Sequence, residues 1–201
     1  MIGPMRRHLR LHFQKDITTA FSPLLQKGFY VEITSSNLQD MLCKTCDLDP
    51  AALKARIQTV FLNGKPVDNM ATANVQDDDC LALSAAMPGL VGATMRSGGV
   101  LAGFRHSISY RPEDSQSNAR GGILLIKLFN LLIKELGPRF LRQGILVGSN
   151  DLRNLLTSLS DLDWNDCKNA ELNTQKINAD TLATVVWPKE PGFVRLEVTF
   201  G

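Results

Sequence analysis

The sequence predicts an α+β protein of two small units that meet near residue 98. Three observations lead there. Short stretches alternate strictly between apolar and polar residues, as half-buried strands do. Other stretches repeat their apolar residues at helical spacing. Five glycines, Gly89, Gly92, Gly98, Gly99 and Gly103, crowd the middle of the chain and mark a boundary there.

The first strand is "HLRLHF", residues 8–13, with Leu9, Leu11 and Phe13 on one face and His8, Arg10 and His12 on the other. A connection through Pro23 and the turn Lys27-Gly28 leads to "FYVEIT", residues 29–34, and the two strands read as a hairpin with a long loop. Ser35, Ser36 and Asn37 offer cap oxygens for a helix carrying Leu38, Met41, Leu42 and Cys46. Pro50 opens a further helical turn to Arg56. Residues 57–62 form the next strand, Asn63-Gly64 turns it, 65–67 return, and 80–85 form the last strand of this unit.

Beyond the glycines, residues 104–110 read as a strand and 111–122 as a polar loop. Residues 123–136 read as a helix that Gly137-Pro138 stops or kinks. Its wide apolar face suits the core of the second unit or a homodimer contact. Ser149 caps a helix over 150–159, and 181–187 with 193–200 form a closing hairpin. No internal repeat or low-complexity tract is apparent.

The bulk numbers exclude several classes. Hydrophobic content of 44% with 21% charged residues belongs to a folded chain, not a disordered one. A net charge of +2 gives no footprint for nucleic acid. The most apolar stretch is too short and too charged to span a membrane. Four cysteines and no leader-like N-terminus predict a reduced, cytoplasmic protein.

Residues 60–68, "VFLNGKPVD", and 75–92, "VQDDDCLALSAAMPGLVG", together with the helix after "FYVEITSSNLQDML", resemble the ubiquitin-like sulfur-carrier family. That family includes the small subunit of molybdopterin synthase and the thiamine-pathway sulfur carrier. The resemblance covers residues 5–99. It implies a β-grasp (ubiquitin-like) domain over 5–92; the glycines then mark a Gly-rich linker over 93–103, and the elements beyond them a second α+β domain over 104–201. It also implies a protein partner, such as an activating or sulfur-transfer enzyme, and no cofactor. In the family the chain ends in Gly-Gly, whose carboxylate is activated and converted to a thiocarboxylate. Here Gly98-Gly99 is followed by Val100, so carriage requires cleavage after Gly99.

Three functions therefore compete. The first is a non-enzymatic interaction module in which Gly98 and Gly99 form an interdomain connection. The second is a sulfur-carrier precursor. The third is an enzyme or ligand-binding protein with a pocket between the domains, near Arg105 and His106. Cys43 and Cys46 form a lone C-x-x-C near a helix end, without the second pair that zinc requires, and read as structural. His8 and His12 share a strand face about 13 Å apart, too far for one metal. Asp77, Asp78 and Asp79 read as a solvated turn. Metal and nucleotide motifs are missing: no Gly-Lys-Ser/Thr phosphate loop, no G-x-S-x-G and no H-E-x-x-H.

Overall fold

The computed structural model describes residues 7–85, 87, 89–105, 107–112, 121–182, 185–188 and 192–201, without the side chains of 162, 179 and 180. Its first unit runs β1 (Arg7–Phe13), a 3-10 turn and α1 (Ser22–Lys27), β2 (Phe29–Glu32), α2 (Leu38–Cys46), α3 (Pro50–Arg56), β3 (Thr59–Leu62), β4 (Lys65–Pro66) and β5 (Cys80–Ser84). A connector carrying α4 (Gly89–Met95) and a 3-10 turn (Val100–Arg105) follows. The second unit runs β6 (Ile123–Phe129), α5 (Leu132–Gln143), β7 (Ile145–Gly148), α6 (Ser149–Ser158), α7 (Asp161–Asn165), β8 (Cys167–Leu172), β9 (Gln175–Lys176), α8 (Ala179–Leu182) and β10 (Phe193–Phe200).

The two units repeat one plan, strand, helix, strand, helix, helix and then three strands, with the short α8 added before the last strand of the second unit. The repeat is legible in the sequence once the elements are aligned. "SPLLQKGFYV" from residue 22 matches "GPRFLRQGILV" from 137, and "SNLQDMLCKTCDLD" from 36 matches "SNDLRNLLTSLSDLD" from 149. "FLNGKPV" from 61 matches "ELNTQKI" from 171. The geometry agrees. Asn63 and Gly64 have φ of 52° and 76°, and Asn173 and Thr174 have 51° and 73°, the same left-handed hairpin turn. Val67 N–H donates to Val60 O at 2.9 Å, and Ile177 N–H donates to Ala170 O at 2.9 Å. This corrects the expectation of no repeat. Short insertions shift the spacing between the matching stretches, so no fixed period shows.

All ten strands lie in one sheet, ordered β4-β3-β5-β6-β2-β7-β10-β1-β8-β9. The first strand of each unit lies in the other unit's half. β6 sits between β5, to which it is parallel, and β2. β1 sits between β10, to which it is parallel, and β8. The halves join where β2 meets β7 antiparallel at Tyr30 and Leu146. Exchange of an identical element between two copies is a low-cost way to join them. The boundary expected at 93–103 therefore does not separate two sheets, and the expected hairpin of β1 with β2 does not form, because β7 and β10 lie between them.

One face of the sheet carries the core. Leu9, Leu11 and Phe13 of β1, Leu124, Ile126 and Leu128 of β6, and Val194, Leu196 and Val198 of β10 are all buried. Phe29, Val31, Leu38, Leu42, Val60, Leu62 and Leu81 join them, as their spacing predicts. Helices cover this face: α5 lies on β10 and β6, α1 on β6, and α6 on β7 and β10. Gly137 lets α5 approach the first unit, since a Cβ there would lie 2.9 Å from Leu25 Cδ1 and 3.2 Å from Thr18 Cγ2. The capped helix stands as read: Asn37 Oδ1 accepts from Asp40 N–H at 3.0 Å at the start of α2.

Three expected elements are corrected. Residues 123–129 form a strand, and the helix begins only at Leu132. Lys127 is the only polar residue in the run, so its alternation is too weak to separate strand from helix. Asn130, at φ 56°, turns the chain from one to the other. Gly137 and Pro138 lie inside α5, where the buried Leu136, Phe140 and Leu141 hold the helix together until Gly144 ends it at φ 88°. Residues 104–110 contain no strand among the described positions. Of the expected hairpin, residues 183 and 184 lie outside the described residues, Thr181 and Leu182 close α8, and β10 pairs with β7 and β1.

Candidate binding surface

Among the described residues the repeat spans 7–84 and 123–200, which leaves the connector as the segment between the units with no counterpart. It holds Gly98, Gly99 and Arg105. Long connections inside a compact fold are more often functional than short ones.

The connector is tied down at the edge of the first unit. Ser97 N–H donates to Gln58 O at 2.8 Å, and Ser97 Oγ donates to Val67 O at 2.7 Å. Gly98, at φ 61°, donates its N–H to Asp68 Oδ1 at 3.1 Å. Gly99 N–H reaches Arg96 O at 3.1 Å, and Tyr110 N–H reaches Pro66 O at 2.8 Å.

Arg105 closes the clasp. Its side chain is only 3% exposed. Nη2 donates to Asp68 Oδ1 at 2.6 Å and Nη1 to Asp68 Oδ2 at 3.2 Å, a two-pronged ion pair. Nε donates to Thr94 O at 2.6 Å, Nη2 to Arg96 O at 3.2 Å and Nη1 to Ser109 Oγ at 2.7 Å. A guanidinium has five N–H groups, and these bonds use all of them. Arg105 is thus a fastening for the connector and has no donor left for a ligand in a pocket. His106 lies outside the described residues.

Gly98 and Gly99 are held in the chain, one bonded to Asp68 and the other closing a turn on Arg96. Around them the connector presents its apolar side chains outward. Leu90, Val91, Val100, Phe104 and Ile108 are exposed, Val100 by 99% and Phe104 by 83%. They are five of the eight exposed large apolar residues among the described positions, which concentrates the feature on one segment. From Cys80 to Pro112 the sequence contains no Asp or Glu.

The other residues singled out in the sequence have structural surroundings. Cys46 is fully buried, and burial pushes its thiol up to about 12 against a smaller opposing pull from Arg139. Burial, then Asp40 and Asp49, raise Cys43 as well, so both stay protonated thiols at neutral pH. His8 Nε2 lies 3.1 Å from Glu197 Oε2, and His12 Nδ1 lies 2.9 Å from Thr199 Oγ1. Burial, followed by Arg10, lowers the His8 pKa. Asp79 is buried and accepts from Asn63 Nδ2 at 2.7 Å and Gln76 N–H at 2.8 Å. Asp77 Oδ1 accepts from Ile123 N–H at 2.7 Å, which pins β6 beside β5. Sequence spacing read this as a solvated turn; two of its carboxylates are strand fastenings. No cluster of metal-ligating side chains occurs among the described residues.

The two units also meet in a cleft of about 600 Å3, lined by Arg56 and Gln58 from the first and Leu131, Glu135 and Arg139 from the second. Its charged groups are already engaged. Arg139 Nη1 donates to Cys46 O at 2.8 Å at the end of α2, and Arg56 Nε lies 3.9 Å from Glu135 Oε2. No helix among the described residues is long and apolar enough to cross a membrane. Comparison of the chain with models of known families, with curated proteins and with solved structures finds no match.

Proposed function

We propose that the protein is a non-enzymatic interaction module in which two interlocked β-grasp-like units form a rigid base and the connector between them binds a protein partner. The observation that carries this reading is the exposure of Leu90, Val91, Val100, Phe104 and Ile108 on one anchored segment. Concentrated exposed apolar side chains mark interaction surfaces. The clasp at Arg105 supports it further, because a segment already ordered loses less entropy on binding than a free one. The test exchanges Val100 and Phe104 for serine together. The double variant is expected to keep its circular dichroism and melting temperature and to lose a partner that the parent chain captures. Val186→Ser, at an exposed apolar residue outside the connector, serves as the control and keeps that partner. Equal capture by all three chains would remove the connector from the interaction.

The sulfur-carrier reading remains the alternative, and the fold bears on it physically. A carrier tail must swing free, whereas Gly98 here is bonded to Asp68 beside the Arg105 clasp. A cut after Gly99 would also leave β5 and β2 dependent on β6 from a separate fragment. Intact-mass measurement on the endogenous protein is expected to find the chain uncut at Gly99. A species ending at Gly99, particularly one in which sulfur replaces a carboxylate oxygen, would establish the carrier instead.

A further inference from the structure

Two arginines line the cleft between the units, and both are held in the same way. Arg56 Nη1 donates to Ala52 O at 2.8 Å, within α3. Arg139 Nη1 donates to Cys46 O at 2.8 Å and to Asp47 O at 3.2 Å, at the end of α2. These bonds engage only the Nη1 side of each guanidinium. The parallel Nε–H and Nη2–H groups form the fork that grips an oxyanion, and in neither arginine does this fork make a hydrogen bond to the described residues. Glu135 does not fill the Arg56 fork, because its Oε2 lies 3.9 Å from Arg56 Nε, beyond hydrogen-bond length.

The backbone tethers have a consequence for binding. A guanidinium already fixed to a carbonyl loses less rotamer freedom when it takes an anion. Two forks offer four N–H donors, and they come from different elements, α3 and α5. A carboxylate has two oxygens and one charge, and one fork matches it. A phosphate monoester has three terminal oxygens set tetrahedrally and close to two charges, so it accepts from both forks at once. The cleft is also larger than a bare ion needs. Its volume of about 600 Å3 lies in the range of small-molecule sites, and Ala55, Ala85 and Leu131 give it an apolar wall.

We infer that this cleft binds a small organic phosphate, with its phosphate group between the Arg56 and Arg139 forks and its organic part along Ala55, Ala85 and Leu131. Glu135 stands beside the phosphate as a like charge that weakens binding. None of the exposed apolar residues of the connector lines the cleft, so the test does not depend on a protein partner. The experiment is titration calorimetry of the full chain with phenyl phosphate, inorganic phosphate and benzoate. Phenyl phosphate is expected to bind at least about tenfold more tightly than either of the others. Arg56→Gln is expected to weaken it at least about tenfold, the worth of a charge-assisted hydrogen bond. Arg139→Lys keeps the charge without the fork and is expected to weaken it as well. Glu135→Gln is expected to tighten it severalfold, a change of opposite sign that a purely structural role would not produce. The inference is overturned if phenyl phosphate does not bind, if benzoate binds as tightly, or if Arg56→Gln leaves the affinity unchanged or Glu135→Gln lowers it. Equal binding of inorganic phosphate, an adventitious ion only, also overturns it. Should Arg139→Lys fail to fold by circular dichroism, Arg56→Gln decides, since that side chain is 37% exposed at the end of α3.

Discussion

Phe140→Ala should lower the stability of the whole chain by about 3–5 kcal/mol, in a single cooperative transition. The size follows from removing a large, fully buried ring and leaving a cavity. Phe140 is 0% exposed in α5, and its ring meets Phe29 edge-on, with centroids 5.1 Å apart and planes at 62°. Phe140 belongs to the second unit and Phe29 to β2 of the first. The loss is therefore shared by both. Denaturation followed by far-ultraviolet circular dichroism and by hydrogen exchange should show amides of β3 and β5 losing protection together with those of β8 and β10. Two separate transitions, with only the second unit destabilised, would mean that the units fold independently despite their interlaced strands.

Arg105→Ala should have the next largest effect, and a local one. It removes five hydrogen bonds and leaves the Asp68 carboxylate without its partner. Breaking a buried ion pair costs about 3–5 kcal/mol, and Asp68 is 40% exposed, so about 2–3 kcal/mol is expected here. The loss should appear as release of the connector. Limited proteolysis should cut between residues 94 and 111 at least about thirtyfold faster, the minimum that a change of this size implies for opening of the segment. The strands of the sheet should keep their amide protection. Arg105→Lys retains the charge but has three donors and no fork, so it should fall between the parent and the alanine variant. A connector equally resistant in all three chains would show that something other than this clasp holds it.

Local chemistry settled much of this structure in advance. The alternation of "HLRLHF" predicted which side chains of β1 are buried, because the period of a strand is two whatever its neighbours are. Asn37 predicted the start of α2, and Asn63-Gly64 predicted the turn between β3 and β4, because a cap and a hairpin turn are decided within four residues. Each of these rests on interactions between residues close in the chain.

Choice of neighbour is another matter, and only the tertiary structure decided it. Alternation shows which face of β1 is buried and nothing about which strand lies beside it. Its partners proved to be β10 and β8, near the far end of the chain. The run at 123–129 has one polar residue, Lys127, too few to show a strand's alternation, so its strand conformation depended on finding ladder partners in β5 and β2. The repeat was present in the sequence, but uneven insertions hid it until equivalent turns and hydrogen bonds aligned the two units. Gly98 and Gly99 had the composition of a hinge. Asp68 and Arg105, well separated from each other in sequence, made the segment a fixture instead. Sequence alone determined the elements whose energetics are local. Their assembly was left to burial and hydrogen bonding between residues that only folding brings together.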